Sequence, residues 1–211
     1  MSIEEEIKLT AQSATIQDAV AVDPDVLASA QGHPMRSRIF LAVYYDTPDR
    51  RLLRHHLAFR LRQEGDLGWR ATLKGTGGMV DGLSRRQEWE AQVMAPLQQW
   101  GELPPGELRE QVLAVVDPAD PLASLFVTDF TRRILLLQWG ECRVEMALDQ
   151  GEVRADGRVH PLSEVELERL AGPLAPIQSF ADDLIQRYAL IPSRLSKFGL
   201  GLSLLGLHEE V

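Results

Sequence analysis

The 211-residue chain is predicted to be α+β and mainly β, with about eight strands closing into a barrel or deep trough lined by ionised side chains. Three observations predict this. At least six stretches place charges at every second residue, the period that a strand imposes on its two faces. Those charges are of both signs, and the opposite faces carry a matched apolar set. Helical periodicity lies only between and after these stretches. For any single strand, a sandwich with cross-strand ion pairs facing solvent is the simpler reading; recurrence of the design across six favours a lined interior.

The first strand, residues 4–9, sets the pattern: Glu4, Glu6 and Lys8 share one face, Glu5, Ile7 and Leu9 the other. Ser13 then offers a helix start, with Ile16, Ala19 and Val20 as a short apolar stripe ending near Asp23-Pro24, and a second helical piece covers residues 25–31. Residues 36–45 are rich in β-branched and aromatic side chains and close at the turn Asp46-Thr47-Pro48-Asp49, which leads into a helical turn at 50–54. Alternation returns in 57–63, with Arg60 and Arg62 on one face, and in 69–74, with Arg70, Thr72 and Lys74; the loop 64–68 joins the two as a hairpin. The glycine-rich connection 75–82 lacks the Lys-Ser tail of a phosphate-binding loop and is not followed by a helix, so it reads as a linker. Residues 84–93 place Arg86, Glu88 and Glu90 opposite Gln87, Trp89, Ala91 and Val93.

Residues 97–116 read as a helical excursion packed on the exterior through Leu108, Val112, Val115 and Val116. A long strand over 125–138 carries Asp129, Arg132 and Arg133, with either arginine as the inward one. In 143–149, Arg143, Glu145 and Asp149 oppose Val144, Met146 and Leu148; in 163–168, Glu164, Glu166 and Glu168 oppose Val165 and Leu167. Ile177, Phe180, Ala181, Leu184, Ile185 and Tyr188 have helical spacing within 176–190, which Pro192 ends, and the Leu/Gly-rich segment 198–207 is apolar enough to pack on the barrel or on a second subunit.

Composition narrows the class. With 45% hydrophobic and 25% charged residues the chain reads as one globular domain, residues 1–211. No apolar run reaches the roughly 20 residues that span a bilayer, and the N-terminus lacks the regions of a signal peptide, so a cytoplasmic, non-membrane protein is expected. The lone cysteine, Cys142, fits a reducing compartment and a structural role. A net charge of −9 speaks against nucleic acid as a partner.

The candidate inner face collects Glu4, Glu6, Lys8, Arg60, Arg62, Arg70, Lys74, Arg86, Glu88, Glu90, Arg143, Glu145, Asp149, Glu164, Glu166 and Glu168. Burying so many ions without a ligand is costly. Paired carboxylates suit Mg²⁺ or Mn²⁺, whereas His33, His55, His56, His160 and His208 show no metal-ligand spacing. Arginine and lysine suit phosphate oxygens. Together these point to a metal and polyphosphate site. An apolar-lined carrier barrel is disfavoured by the charged interior, and a non-catalytic polyphosphate-binding module could dispense with one of the carboxylate pairs, both of which are intact.

Several motifs stand in a fixed order: Glu4-x-Glu6-x-Lys8, Tyr44-Tyr45-Asp46-Thr47-Pro48, Phe59-Arg60-Leu61-Arg62, Leu73-Lys74, Glu88-x-Glu90, Thr128-Asp129-Phe130-x-Arg132, Glu145-x-Ala147-Leu148-Asp149-Gln150-Gly151, Glu164-x-Glu166-x-Glu168 and Ser196-Lys197. The set resembles the CYTH superfamily, the triphosphate tunnel metalloenzymes, and within it the bacterial inorganic triphosphatase group. That resemblance implies a closed eight-stranded antiparallel tunnel with helices outside. It implies metal ligation by Glu4, Glu6, Glu166 and Glu168, with Glu164 and Asp149 as further candidates. Lys8, Arg60, Arg62, Lys74, Arg86, Arg132, Arg143 and Lys197 would grip inorganic triphosphate. Glu4, Glu6 and Lys8 with Glu88 and Glu90 form the expected catalytic set, and Glu88, Glu90 and Glu168 are the candidates for orienting the attacking water. Nucleoside or thiamine triphosphate is the alternative substrate, with Tyr44, Tyr45 or Trp69 as an aromatic platform. The group it resembles often adds a helical, histidine-rich CHAD domain associated with polyphosphate; residues 1–211 show none, so a polyphosphate-linked partner is a further expectation.

Overall fold

The computed structural model describes residues 2–75 and 79–208. In chain order the elements are β1 (Ser2–Thr10), α1 (Ala14–Ala21), α2 (Pro24–Ser29), β2 (Arg36–Asp46), α3 (Arg51–Arg54), β3 (Leu57–Glu64), β4 (Trp69–Gly75), β5 (Leu83–Val93), α4 (Glu107–Leu113), β6 (Ala123–Trp139), β7 (Cys142–Ala155), β8 (Arg158–Ala171), α5 (Leu174–Tyr188), β9 (Ile191–Pro192) and α6 (Lys197–Leu204). The sheet runs β5-β4-β3-β2-β6-β7-β8-β1, and a β1–β5 pairing closes it into an eight-stranded barrel, with β9 as an extra strand on β1. Every pairing is antiparallel. The expected mainly β, α+β barrel with helices outside is therefore the observed fold.

Register carries one face around the ring. Glu6 pairs with Glu168, Glu168 with Glu145, and Asp149 with Arg132; further round, Ala42 pairs with Arg62 and Tyr44 with Arg60, and Lys74 pairs with Glu88. Because directly paired residues point to the same side of a sheet, the charged positions of separate strands meet in one lumen.

The outward faces are held by two apolar clusters. Ile7, Leu9, Val144, Met146, Leu148, Val165 and Leu167 pack under α1, α2 and α5 through Val20, Val26, Ile177, Phe180 and Leu184. Phe59, Leu61, Leu73 and Trp89 pack under the excursion through Trp100, Leu108 and Val112. Each fully buried side chain of this size contributes about 1.5–3 kcal/mol, so exterior helices, rather than the lumen, hold the barrel. The excursion expected over 97–116 is less helical than its periodicity suggests: a 3₁₀ turn at Trp100–Glu102 precedes the seven-residue α4. Ser13 caps α1 by accepting from the Ile16 amide at 3.3 Å. The second helix ends at Ser29 instead of 31, because Gln31 and Gly32 take φ of 49° and 78°.

A third apolar cluster fills one end of the barrel. Phe198 and Leu202 of α6 pack among Phe40, Tyr44, Phe126, Phe130, Val153 and Leu162. The segment 198–207 thus packs on its own barrel, and α6 closes that end as a plug. Of the connection read as a linker, residues 76–78 lie outside the described residues. Its last glycine, Gly82 (φ 80°), meets β1 so closely that a Cβ there would sit 2.6 Å from the Lys8 carbonyl oxygen. Cys142 is fully buried and donates to the Pro173 carbonyl at 3.1 Å.

Candidate active site

The lumen holds a cavity of about 210 Å³. Seven cations line it (Lys8, Arg60, Arg62, Lys74, Arg86, Arg132 and Lys197), and so do seven carboxylates (Glu4, Glu6, Glu88, Glu90, Glu145, Glu166 and Glu168). The charges are sorted along the walls.

At the plugged end three cations meet three carboxylates. The Lys197 ammonium, carried in on the first residue of α6, lies 2.7 Å from Asp149, 2.5 Å from Glu164 and 2.8 Å from Glu166. Lys8 reaches Glu166 at 2.5 Å. Arg132 grips both oxygens of Asp149, at 2.7 and 2.6 Å, and also bonds Glu166. Burial drives these groups towards neutrality, but for Glu166 the facing Lys197, Lys8 and Arg132 win and hold it well below the usual range, while Lys197 and Arg132 are held well above theirs. Glu164 goes the other way, raised by burial and by its neighbour Glu166. Oxygens of Asp149, Glu164 and Glu166 lie within 4.8 Å of one another, close enough to share a metal ion. Here the Lys197 ammonium sits among them.

The middle of the lumen carries the β1 carboxylates. Lys74 donates to both oxygens of Glu4 at 2.8 Å, and Arg86 bridges Glu4 at 3.2 Å and Glu6 at 2.5 Å. Burial would raise Glu4, but Lys74 and Arg86 outweigh it and lower the group to about 2. Glu88 forms an ion pair with Lys74 at 3.1 Å, and Glu90 one with Arg70 at 3.1 Å.

Two places are out of balance. Glu168 is raised to about 7 by burial and by the negative charges of Glu4, Glu145 and Glu6. Across the lumen Arg62 is lowered to about 10 by burial and by Arg60. Glu64 binds Arg62, and Arg60 donates to the Tyr44 hydroxyl at 3.5 Å, with Arg60 Nε left without a hydrogen-bond partner among the described residues. One wall thus carries surplus carboxylate and the other surplus guanidinium.

Placement settles the open parity: Arg132 points into the lumen, whereas Arg133 points out to Asp18 at 2.7 Å. Arg143 is the one expected substrate residue that does not line the cavity. It is exposed, one residue past the β6–β7 turn, where the ladder slips: Arg143 pairs with Ala171 and Val144 with Arg169, so Leu170 is an extra residue on β8. Arg143 lines a separate surface hollow with His33 and Gln138. Of the three aromatics expected as a platform, Tyr44 lines the lumen; Tyr45 and Trp69 pack in the outer core. Sequence reasoning misses Glu64, which reads as the first residue of the loop 64–68 although it continues the parity of Arg60 and Arg62. It also misses Gln17, fully buried on α1, whose Nε2 donates to the carbonyls of Asp149 and Glu164 at 2.8 and 2.9 Å; a lone glutamine on an amphipathic helix carries no signal for that.

A model of the CYTH domain matches residues 2–197. An inorganic triphosphatase of Haemophilus influenzae is 33% identical over 141 residues, 67% of this chain and 39% of that protein. Protein Rv2226 of Mycobacterium tuberculosis is 33% identical over 122 residues, 56% of this chain and 22% of that protein. The chain therefore matches well under half the length of these relatives. Among solved structures, HpAC1 of Hippeastrum, described as revealing a dominant triphosphatase activity, shares the fold with a TM-score of 0.75, 20% identity and 95% coverage of both chains. The triphosphatase of the Mimivirus capping enzyme does so at 0.52, with 9% identity and 87% and 89% coverage.

Proposed function

Since the chain belongs to the CYTH domain family, we propose that it hydrolyses inorganic triphosphate to pyrophosphate and phosphate with the help of Mg²⁺ or Mn²⁺. The sorted charge of the lumen carries this reading. An anion entering alone would meet as many carboxylates as cations; an anion arriving with a divalent cation answers both surpluses at once.

The residues divide accordingly. Glu4, Glu6 and Glu168, with Glu145 beside them, fit a cation better than Asp149, Glu164 and Glu166, which already balance three buried cations. A divalent ion held there supplies neutralisation of phosphoryl oxygens and a more acidic attacking water. Arg60, hydrogen-bonded to the Tyr44 hydroxyl, and Arg62, paired with Glu64, offer guanidinium donors to the phosphoryl oxygens. Lys74 and Arg86 share Glu4 and Glu6 in the present arrangement and become free to contact phosphate once those carboxylates are otherwise neutralised. Lys8, Lys197 and Arg132 also line the lumen, and their donors face the inner end of the bound chain from within the balanced network of the plugged end. Water adds in line to the terminal phosphorus, the bridging P–O bond breaks, and pyrophosphate leaves with that oxygen. Glu88 and Glu90 on β5 remain candidates for orienting the water. The reading places the enzyme in the cytoplasm, on the strength of its lone thiol; none of the described helices is long and apolar enough to cross a membrane.

The test is phosphate release from inorganic triphosphate, ATP and thiamine triphosphate, each with Mg²⁺, with Mn²⁺ and with chelator. Rapid metal-dependent release from inorganic triphosphate, far above the other two, is the expected result. Preference for ATP or thiamine triphosphate would transfer the assignment to those substrates, and binding without release would make the chain a polyphosphate-binding module.

A further inference from the structure

Beyond the aromatic floor of the lumen, β2 continues outwards with two more residues of the inward parity, Arg38 and Arg36. Arg38 pairs in register with Arg132, and Arg36 with Ile134. Arg38 is half-buried and Arg36 exposed, and together with His33, Leu136 and Glu145 they line a hollow of about 110 Å³. Glu145 belongs to this hollow and to the lumen, so the two cavities meet at that side chain.

The arginines inside the barrel that touch carboxylates do so at short range, but neither Arg36 nor Arg38 has an ion pair among the described residues. In an acidic chain of net charge −9, two guanidinium groups without an ion pair among the described residues, in a hollow that shares Glu145 with the lumen, are unusual neighbours for each other. They extend a line of cations that begins at Arg60 and Arg62, passes over Phe40 and emerges at Arg38 and Arg36, each step along a strand covering roughly 6.6 Å per two residues.

We propose that Arg36 and Arg38 form an outer anion subsite for the trailing phosphoryl groups of a linear polyphosphate longer than triphosphate, the leading end of which enters the lumen. This rests on the triphosphatase reading and names a wider substrate class for the same site. A nucleoside is the poorer occupant. The lumen's aromatic faces are already engaged: Arg62 lies 4.8 Å and Arg132 5.7 Å from the Phe40 ring centre, Lys197 lies 5.1 Å from that of Phe130, and Tyr44 stacks on Phe126 at 4.5 Å. Among the described residues, these rings already pack against cations or other rings, which makes them a poor platform for a base. Glu145 at the junction is one of the carboxylates that a bound cation would neutralise.

The experiment compares tripolyphosphate with a longer linear polyphosphate, for the unaltered chain and for the double variant R36A/R38A, reading both kcat/KM with Mg²⁺ and calorimetric affinity. The ratio of long-chain to triphosphate kcat/KM should fall about tenfold in the variant, as expected for losing charge-assisted contacts, and Arg38→Gln alone should show a smaller fall. An unchanged ratio with active triphosphate hydrolysis overturns the subsite and leaves the activity standing. If the unaltered chain hydrolyses neither substrate, the triphosphatase reading fails; the affinity ratio then decides the subsite, a tenfold relative loss of long-chain binding supporting it and an unchanged ratio overturning it.

Discussion

Asp23 lies buried between α1 and α2, where its carboxylate accepts from the amides of Asp25 at 2.9 Å and Val26 at 3.1 Å, from the Tyr188 hydroxyl at 2.6 Å and from Arg187 at 2.5 Å. Burial alone would raise this carboxyl, but Tyr188, the two amides and Arg187 prevail and hold it below the ordinary range. A folded-state pKa below the unfolded one stabilises the fold above the unfolded value, and the contribution is lost as pH falls through the folded value. Asp23→Ala should therefore cost about 1–2 kcal/mol for the lost cap, constant from neutral pH down to about pH 5 and shrinking below the unfolded value of about 3.9. Urea titrations of both proteins across that range measure it; a difference that grows on acidification would contradict the assignment. The sequence marks Asp23-Pro24 only as the end of the first helical stripe and does not reveal the cap, whereas most of the lumen could be placed because strand parity is a local property. Arg132 and Arg133 could not be told apart, since adjacent residues of one cation type give parity nothing to choose between. Arg143 had the right parity but fails to reach the lumen, because a slip in the β7–β8 ladder belongs to the pairing of two strands and is not written in either.

Among the elements, α6 joins the barrel's interior to its end, and a glycine makes the contact possible. A Cβ at Gly201 would lie 2.3 Å from ring atoms of Phe126, which is itself stacked on Tyr44 at 4.5 Å. Ring atoms in a packed cluster cannot retreat far, so Gly201→Ala should overpack the plug at a cost of about 1–3 kcal/mol. Lys197 would withdraw with the helix from the three carboxylates it neutralises. Amide exchange in residues 197–204 should accelerate more than in β4 and β5, whose core is separate; uniform acceleration would show that α6 is an integral part of the barrel's cooperative unit. Composition marked this segment as apolar, yet did not say whether it faced the barrel or another molecule. Its destination depends on a Phe40–Phe126–Phe130 cluster assembled from two strands more than eighty residues apart, which no local pattern reports.

At the scale of the whole molecule, the barrel sorts its charges by place, with negative charge gathered around Glu168 and positive charge around Arg62. The surroundings of Glu168, which raise it to about 7, and of Arg62, which lower it to about 10, both oppose full ionisation of the lumen, so a matched pair of ligands should add to the stability of the folded chain. The unfolded chain has no such site, so binding raises the melting temperature by mass action: at a ligand concentration of about 100 times Kd the gain is about 2.7 kcal/mol. For a domain of 211 residues that corresponds to a shift of roughly 5–10 °C. A non-hydrolysable imido analogue of triphosphate together with Mg²⁺ should give this shift, and either component alone a much smaller one. The ordering follows from where the charges sit, because the anion alone leaves the negative charge around Glu168 facing it, while Mg²⁺ alone leaves the positive charge around Arg60 and Arg62 unanswered. Equal shifts with and without Mg²⁺ would mean that the carboxylate wall does not recruit a cation for the substrate, and the division of the lumen into a metal side and a phosphate side would have to be abandoned.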